Sequence, residues 1–420
     1  MKGAFKLAWR ALVRGGSFYA LIVATFGIYF LMPSLIRSDG TLSGAEEMFI
    51  RVITGGAYGV LLISMLCAAS SFFSNERVAG RLSLSLVRPV SAFSSMVGVW
   101  GAFCSIALCV LVCSGVLTLM LSPFKSGAPC NHHHAPILPP PEVAARQIMD
   151  AYLNNPQTPE EVRNAPKATV LAFLATKEAD RYESIRTNAV QAWEFDAGVL
   201  NADEIKVRVR FSTAMEMRSD VVGRFAIDSW GVAFSNKTQT AIDVPLEKGI
   251  VKNVAPVKDG KCLLAFSNKG DASVMLRPRK DIELLTPADP FEMNLVRSII
   301  MQFFVISLVG AFGLFLSSGL SRPVAIFTSL VSLSVVTISP SVVDQYPNEF
   351  ETTWADRFGL WISRAVHDMT KWIESPSPIE SLSINRCIEW TDICEAGITC
   401  IVVSIVLLSL GSMTLRKKIS

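Results

Sequence analysis

Charge is scarce in this chain: Asp, Glu, Lys and Arg make up 18% of the 420 residues, against about a quarter in an ordinary soluble domain. Half of the residues are hydrophobic and the mean hydropathy is +0.40, a balance that excludes a wholly soluble protein. The fingerprints of nucleotide and hydrolase chemistry are missing too. There is no G-x-x-x-x-G-K-[ST], no G-x-G-x-x-G, no H-E-x-x-H and no G-x-S-x-G, so the chain is not read as hydrolysing ATP by itself. No nucleophile, metal set or acid–base pair stands out to nominate an enzyme, and no cofactor is expected on this chain. A formal net charge of +3 is too small to suggest a nucleic-acid partner.

What the chain has is long runs free of charge. A bilayer core of about 30 Å needs roughly 20 mostly apolar residues in a helix, because lipid offers no partner to backbone N–H and C=O groups. Six stretches meet or approach this: residues 17–36, 52–73, 96–122, 299–318, 323–339 and 396–412, none containing Asp, Glu, Lys or Arg. The expected fold is a polytopic α-helical membrane protein with six transmembrane helices. Lys2, Lys6, Arg10 and Arg14 precede the first run. That run is long for a signal-peptide core and LMPSLIRSDG lacks a small-x-small cleavage pattern, so it reads as an uncleaved anchor.

Orientation follows from the basic residues, which resist transfer to the outer face. With both termini inside, the inner segments hold eleven Lys and Arg, against the single acid Glu76. The loop 340–395, placed outside, holds ten acids and four bases. Both termini are therefore expected in the cytoplasm.

Residues 123–297 form one large outer insertion, long enough to bury a core of its own. Its opening, CNHHHAPILPPP, is too rich in proline for a helix and reads as an extended linker. Helices are expected at 141–154 and 158–185, the second with Thr158 as N-cap and Glu161 in the capping-box position. Residues 192–286 turn to short alternating runs such as KVRVRF, in which Val207 and Val209 alternate with Lys206, Arg208 and Arg210. This predicts an antiparallel, sandwich-like β part within an extracytoplasmic α+β domain. The domain plan is thus residues 1–122, 123–297 and 298–420.

In the second outer loop Trp354, Phe358, Trp361, Ile362, Val366, Met369 and Trp372 fall near helical spacing. An amphipathic helix over 354–373 is expected at the lipid interface, where indole rings prefer to sit; docking on the outer domain is the other reading. His132, His133 and His134 beside Cys130 invite a metal, but adjacent histidines in an extended segment point in different directions, so a polar linker is the preferred reading and no metal is assigned. Cys67, Cys104, Cys109, Cys113 and Cys400 lie in spans. In an oxidising compartment Cys130 with Cys262, and Cys387 with Cys394, are the candidate disulfides. The sequon Asn236-Lys237-Thr238 carries no weight, and the spans lack the ionisable groups that ion-coupled transporters use.

The most informative segment is SNERVAGRLSLSLVRPVSAFSSMVGVW, residues 74–100. An acid, Glu76, is followed four residues on by Gly80, then by a short Leu/Ser stretch from Leu82 through Leu84 to Val87, then by Arg88-Pro89-Val90-Ser91. This order resembles the cytoplasmic loop of type 2 ABC exporter permeases. The family commonly has Thr after the Gly, where this chain has Arg81. The amphipathic start FKLAWRALVRGG, with Trp9, looks like the family's interfacial elbow helix, and SSGLSRPVAIF repeats the Arg-Pro-Val theme at the next cytoplasmic turn. The resemblance covers the membrane portion, a little over half the chain.

It implies a coupling loop over 74–95 in which Glu76, Gly80, Arg81, Leu84, Arg88 and Pro89 dock on a separate P-loop ATPase subunit. ATP and Mg would be held by that partner, and a second permease copy or homologue would complete the pathway. It also implies a bacterial inner (plasma) membrane location, with the large domain outside. A short amphipathic helix joined to two spans can convert a partner's movement into their rotation, whereas a loop that only sets topology needs neither the leucines nor the proline. The substrate route would be lined by polar residues such as Gln302. The competing reading is a membrane-anchored extracytoplasmic binding or assembly protein of an envelope or motility complex, which needs no ATPase.

Overall fold

The computed structural model describes residues 2–35, 42–78, 91–121, 129–156, 158–163, 167–179, 181, 183–213, 220–237, 241–250, 260–345, 354, 358–359, 361–364 and 377–417. Two compact units emerge: a helical one made of Met1–Cys130, Asp289–Val342 and Ile362–Ser420, and one made of Asn131–Ala288 and Val343–Trp361.

The helical unit contains α1 (Lys2–Arg14), α2 (Gly16–Leu35), the short α3 (Leu42–Met48), α4 (Gly55–Val78), α5 (Ala92–Leu121), and, after the second unit, helices over Phe291–Gly319, Arg322–Gln345, Pro378–Ser383 and Trp390–Lys417. Among the described residues, four helices are long and apolar enough to cross a membrane: Ala45–Val78, Ala92–Leu121, Phe291–Gly319 and Trp390–Lys417. The first of these includes a π-helical turn, Phe49–Thr54, ahead of α4. The pair α1/α2, bent by 58°, makes a fifth if it counts as one span, and Arg322–Ile338 is a shorter apolar helix. Helix Phe291–Gly319 starts eight residues before the uncharged run at 299, because Pro290 in an extended conformation and Glu292 in the first turn form a favourable N-terminus. The main stretch of the second compact unit ends just before this helix, at Ala288.

Helix Phe291–Gly319 is central. Half of its most apolar stretch is buried, against 39% for Ala45–Val78 and a third for the other two. Lipid supplies no hydrophobic drive between helices, so close packing of small residues and hydroxyl hydrogen bonds hold such bundles together. Both devices are present. A Cβ on Gly313 would lie 2.8 Å from the Ala69 Cβ and 3.0 Å from the Ser70 backbone nitrogen, so only glycine permits this approach to α4. Ser70 shares a hydrogen bond with Ser329 at 2.5 Å, and the Trp100 indole donates to the Ser307 carbonyl at 2.8 Å. Tyr29 of α2 reaches α5 through Ser114 Oγ (2.6 Å) and Thr118 Oγ1 (2.9 Å).

The second unit holds α6 (Pro141–Leu153), α7 (Glu160–Arg163) and α8 (Lys167–Ala179), followed by strands. Numbered in chain order from β1 (Pro129–His134), the strands are β2 (Glu183–Ile185), β3 (Val190–Asp196), β4 (Lys206–Arg210), β5 (Ser212–Thr213), β6 (Asp220–Ile227), β7 (Trp230–Lys237), β8 (Ala241–Pro245), β9 (Glu247–Lys248), β10 (Lys261–Asn268), β11 (Val274–Leu276) and β12 (Ile282–Pro290). They form sheets in the orders β1-β12-β4-β8, β3-β10-β6-β7-β9 and β2-β11-β5. Inward residues of these sheets share one apolar core that includes Phe195, Val207, Val209, Phe225, Phe266 and Leu284. Val207 and Val209 are buried, while Arg208 faces out and pairs with Asp243 across the strand at 2.6 and 2.7 Å. Phe266 lies directly over Gly223, where a Cβ would meet the ring at 2.3 Å. Asp228, at φ 46, makes the two-residue turn between β6 and β7.

Two expectations change here. The helix predicted over 158–185 is divided between α7 and α8, and Glu183–Ile185 is already a strand paired with β11. Ahead of α7, the Thr158 hydroxyl donates back to the Tyr152 carbonyl at 2.7 Å, satisfying the end of α6. The segment read as a linker opens as β1, placed at the edge of a sheet next to β12.

Candidate functional site

At the end of the bundle where α4 terminates, a cleft of about 670 Å³ opens between α1, α2, α4, α5 and the helix Arg322–Gln345. Leu12, Leu21, Met65, Phe72 and Ile106 are among its apolar walls, and Asn75, Glu76 and Arg322 bring polar groups to it. Glu76, from the first half of the predicted coupling segment, thus lines the same cleft as Arg322, from the second Arg-Pro-Val turn. The neighbouring Arg77 donates through Nη2 to the carbonyls of Ser317 (2.8 Å) and Leu320 (3.0 Å). Those carbonyls end the central helix and have no helical N–H to accept from, so a guanidinium there is favourable both as donor and as charge. The last turn of α4 is thereby fixed to the turn that starts the next helix. Gly80, Arg81, Leu84, Arg88 and Pro89 lie outside the described residues.

The amphipathic α1 lies along α5: Ala8 is buried and Trp9 packs against the bundle core, with Phe5 stacked on Trp9 at 6.1 Å. Trp354 and Trp361 are exposed, at 83% and 65%, and Trp361 stacks on Phe358 at 6.2 Å. Trp372 lies outside the described residues.

The histidines separate as adjacent strand residues must. His133 pairs with Glu283 at 2.6 Å while His134 meets the Thr286 hydroxyl at 3.0 Å. Burial, followed by the charge of His132, lowers the His134 pKa from its ordinary value of 6.5; Asp196 acts in the opposite sense and His133 in the same one. Among the described residues no group of three His, Cys, Asp or Glu side chains is arranged to hold a metal ion.

The cysteines differ most from expectation. The structure contains no disulfide, and neither predicted pair, Cys130 with Cys262 or Cys387 with Cys394, is joined in it. Cys262 directs its thiol to the carbonyls of Phe195 and Asp196 within its own sheet, and Cys394 is exposed. Cys130 instead neighbours Cys387, and burial followed by that neighbour pushes the Cys130 thiol up to about 12.

Around Cys387 the structure gathers residues that the sequence did not single out. Arg297 donates to the Cys387 sulfur at 3.0 Å and to Asp289 at 2.5 Å, and lies 5.1 Å over the Trp390 ring. Asn294, fully buried, donates to the Arg386 carbonyl at 2.7 Å and accepts from the Ile388 N–H at 2.9 Å. Arg297 reads in sequence as one more base flanking an apolar run, so nothing marks it as buried. Gln302, expected to line a route, is also buried, and donates to Ser298 at 3.0 Å.

No protein-family model, curated protein or solved structure matches this chain.

Proposed function

We propose that this chain is the transmembrane permease subunit of an ATP-driven ABC exporter, working with a separate P-loop ATPase and a second permease copy or homologue. The observation that carries this reading is the attachment of Arg77 to Ser317 and Leu320, one residue from Glu76 and within the segment whose order of residues resembles the family's coupling loop. A push on that loop would move α4, the central helix and the start of Arg322–Gln345 together, which is the mechanical property a coupling element needs. ATP and Mg would belong to the partner, and this chain would have no catalytic role.

On this reading six segments cross the bacterial inner membrane. The bent pair α1/α2 provides an elbow and the first crossing, Arg322–Ile338 the fifth, and both termini lie in the cytoplasm. The β-rich unit then stands outside, and Trp354 and Trp361 meet the outer lipid interface. The cleft beside Glu76 has walls from both the α1 elbow and α4, which suits movement of one against the other. The self-contained β core favours a second reading, an anchored binding or assembly protein whose helices only hold that unit in place.

The test is purification of the tagged protein from its own host in mild detergent, with identification of co-purifying chains and an ATPase assay. The exporter reading requires a stoichiometric P-loop ATPase with vanadate-sensitive turnover, and loss of its recruitment when Glu76 and Arg88 are both replaced by Ala. Recovery of envelope proteins alone, under conditions that keep other membrane complexes whole, would favour the anchored protein.

A further inference from the structure

We infer that Cys130 and Cys387 form a disulfide in the mature protein, joining the start of β1 to the segment that leads into helix Trp390–Lys417. Both residues are buried, with Cys130 at 0% and Cys387 at 8% exposure, and their thiols are close enough to influence each other. Their surroundings hold them in register independently of the sulfurs. Asn385 Nδ2 donates to the Pro129 carbonyl at 2.8 Å, which ties the residue before Cys130 to one two positions before Cys387. Arg297 bridges the Cys387 sulfur and Asp289, a residue that also neighbours Cys130. Asn294 fixes the backbone on both sides of Cys387, through Arg386 and Ile388. The backbone on each side is thus pinned, which is what a specific bridge needs and what random collision of nine thiols would not supply.

The chemistry is thiol–disulfide exchange with an external disulfide, either a small molecule such as oxidised glutathione or a protein disulfide. Cys387, the more accessible sulfur, loses its proton and attacks one sulfur of the oxidant, releasing one thiol and forming a mixed disulfide. Cys130 then loses its proton and attacks the Cys387 sulfur, forming the internal bond and releasing the second thiol. Two cysteine thiols are oxidised by two electrons in all, and one external disulfide is reduced to two thiols. The inference rests on the proposed placement of this end of the bundle outside the cytoplasm, where such oxidants persist. It does not depend on an ATPase.

The experiment is a non-reducing peptide map of the full chain from cells quenched in acid and alkylated with N-ethylmaleimide while denatured. A linked peptide containing Cys130 and Cys387 is expected, with free thiols falling from the nine of the sequence to seven. Reducing the purified protein and reoxidising it with oxidised glutathione should restore the same link. Cys262→Ser and Cys394→Ser should leave it in place, whereas Cys387→Ser should abolish it. Alkylated Cys130 and Cys387 in the unreduced sample, or Cys130 linked to Cys262, would overturn the inference, and mapping of the unmodified protein decides this even if a variant fails to fold. A linked peptide in a preparation that carries no ATPase would leave the disulfide standing and count against the exporter reading alone.

Discussion

Arg77, at the end of α4, donates to the Ser317 carbonyl at 2.8 Å and so closes the C-terminus of the central helix with a positive charge. Its second bond, to the Leu320 carbonyl at 3.0 Å, extends the same contact into the following turn. Hydrogen bonds from a charged donor contribute about 1.5–3 kcal/mol each before solvent screening is considered. Arg77 is only partly buried, so Arg77→Ala should cost about 1–2 kcal/mol in all. Thermal unfolding in mild detergent should show this, with Arg77→Lys recovering part of the loss because one ammonium cannot reproduce the guanidinium fork. An unchanged transition in Arg77→Ala would show that the contact does not hold these helices together.

Two glycines of one helix should respond in opposite directions. Gly313→Ala places a methyl 2.8 Å from the Ala69 Cβ and 3.0 Å from backbone on α4, so helices must separate, at a cost of about 1–3 kcal/mol. A Cβ at Gly310 meets nothing within 4 Å, so Gly310→Ala should stabilise by up to about 1 kcal/mol through helix propensity. Comparison of the two melting curves tests whether the helices approach each other at Gly313.

In the β-rich unit, Gly223→Ala forces the Phe266 ring off its position at the centre of the core. A loss of about 1–3 kcal/mol is expected, read as earlier loss of β circular dichroism on heating. Gly260, at φ +71 with open space around it, should lose about 1 kcal/mol on substitution by Ala through backbone strain alone.

Tyr29→Phe removes the hydroxyl that meets both Ser114 and Thr118. Side-chain hydrogen bonds within membrane bundles average about 0.6 kcal/mol, with an upper end near 1.7. A double-mutant cycle of Tyr29→Phe with Thr118→Val should therefore give a coupling energy of about 0.5–1.5 kcal/mol. Additivity of the two changes would remove the hydroxyl network from the account of how α2 is held.

The folded His134 pKa lies below its ordinary value, chiefly because burial disfavours the charged ring, with His132 and His133 adding to this and Asp196 opposing it. The unfolded chain therefore binds this proton more readily, and stability falls as pH drops through 6.5 and below until the folded ring also titrates. His134→Phe should flatten that part of the profile between pH 7.5 and 5, measured by chemical unfolding of the β-rich unit within the full chain. A profile identical to that of the unaltered protein would show that other groups set the acid sensitivity.

The sequence by itself determined the local order. Uncharged runs long enough for lipid mark helices Gly55–Val78, Ala92–Leu121, Phe291–Gly319 and Trp390–Lys417, and the alternation in KVRVRF marks β4 with its valines inward. These are legible because composition and periodicity act over a few consecutive residues. Only the tertiary structure decided that Thr158 turns back to Tyr152, that Arg297 is buried against Cys387 and Asp289, that Arg77 ends the central helix, and that Cys130 meets Cys387 and not Cys262. Each of these choices joins groups brought together by the packing of whole elements. The energy that selects a partner for a thiol, a guanidinium or a hydroxyl comes from its burial and geometry in the folded chain; spacing along the chain sets neither.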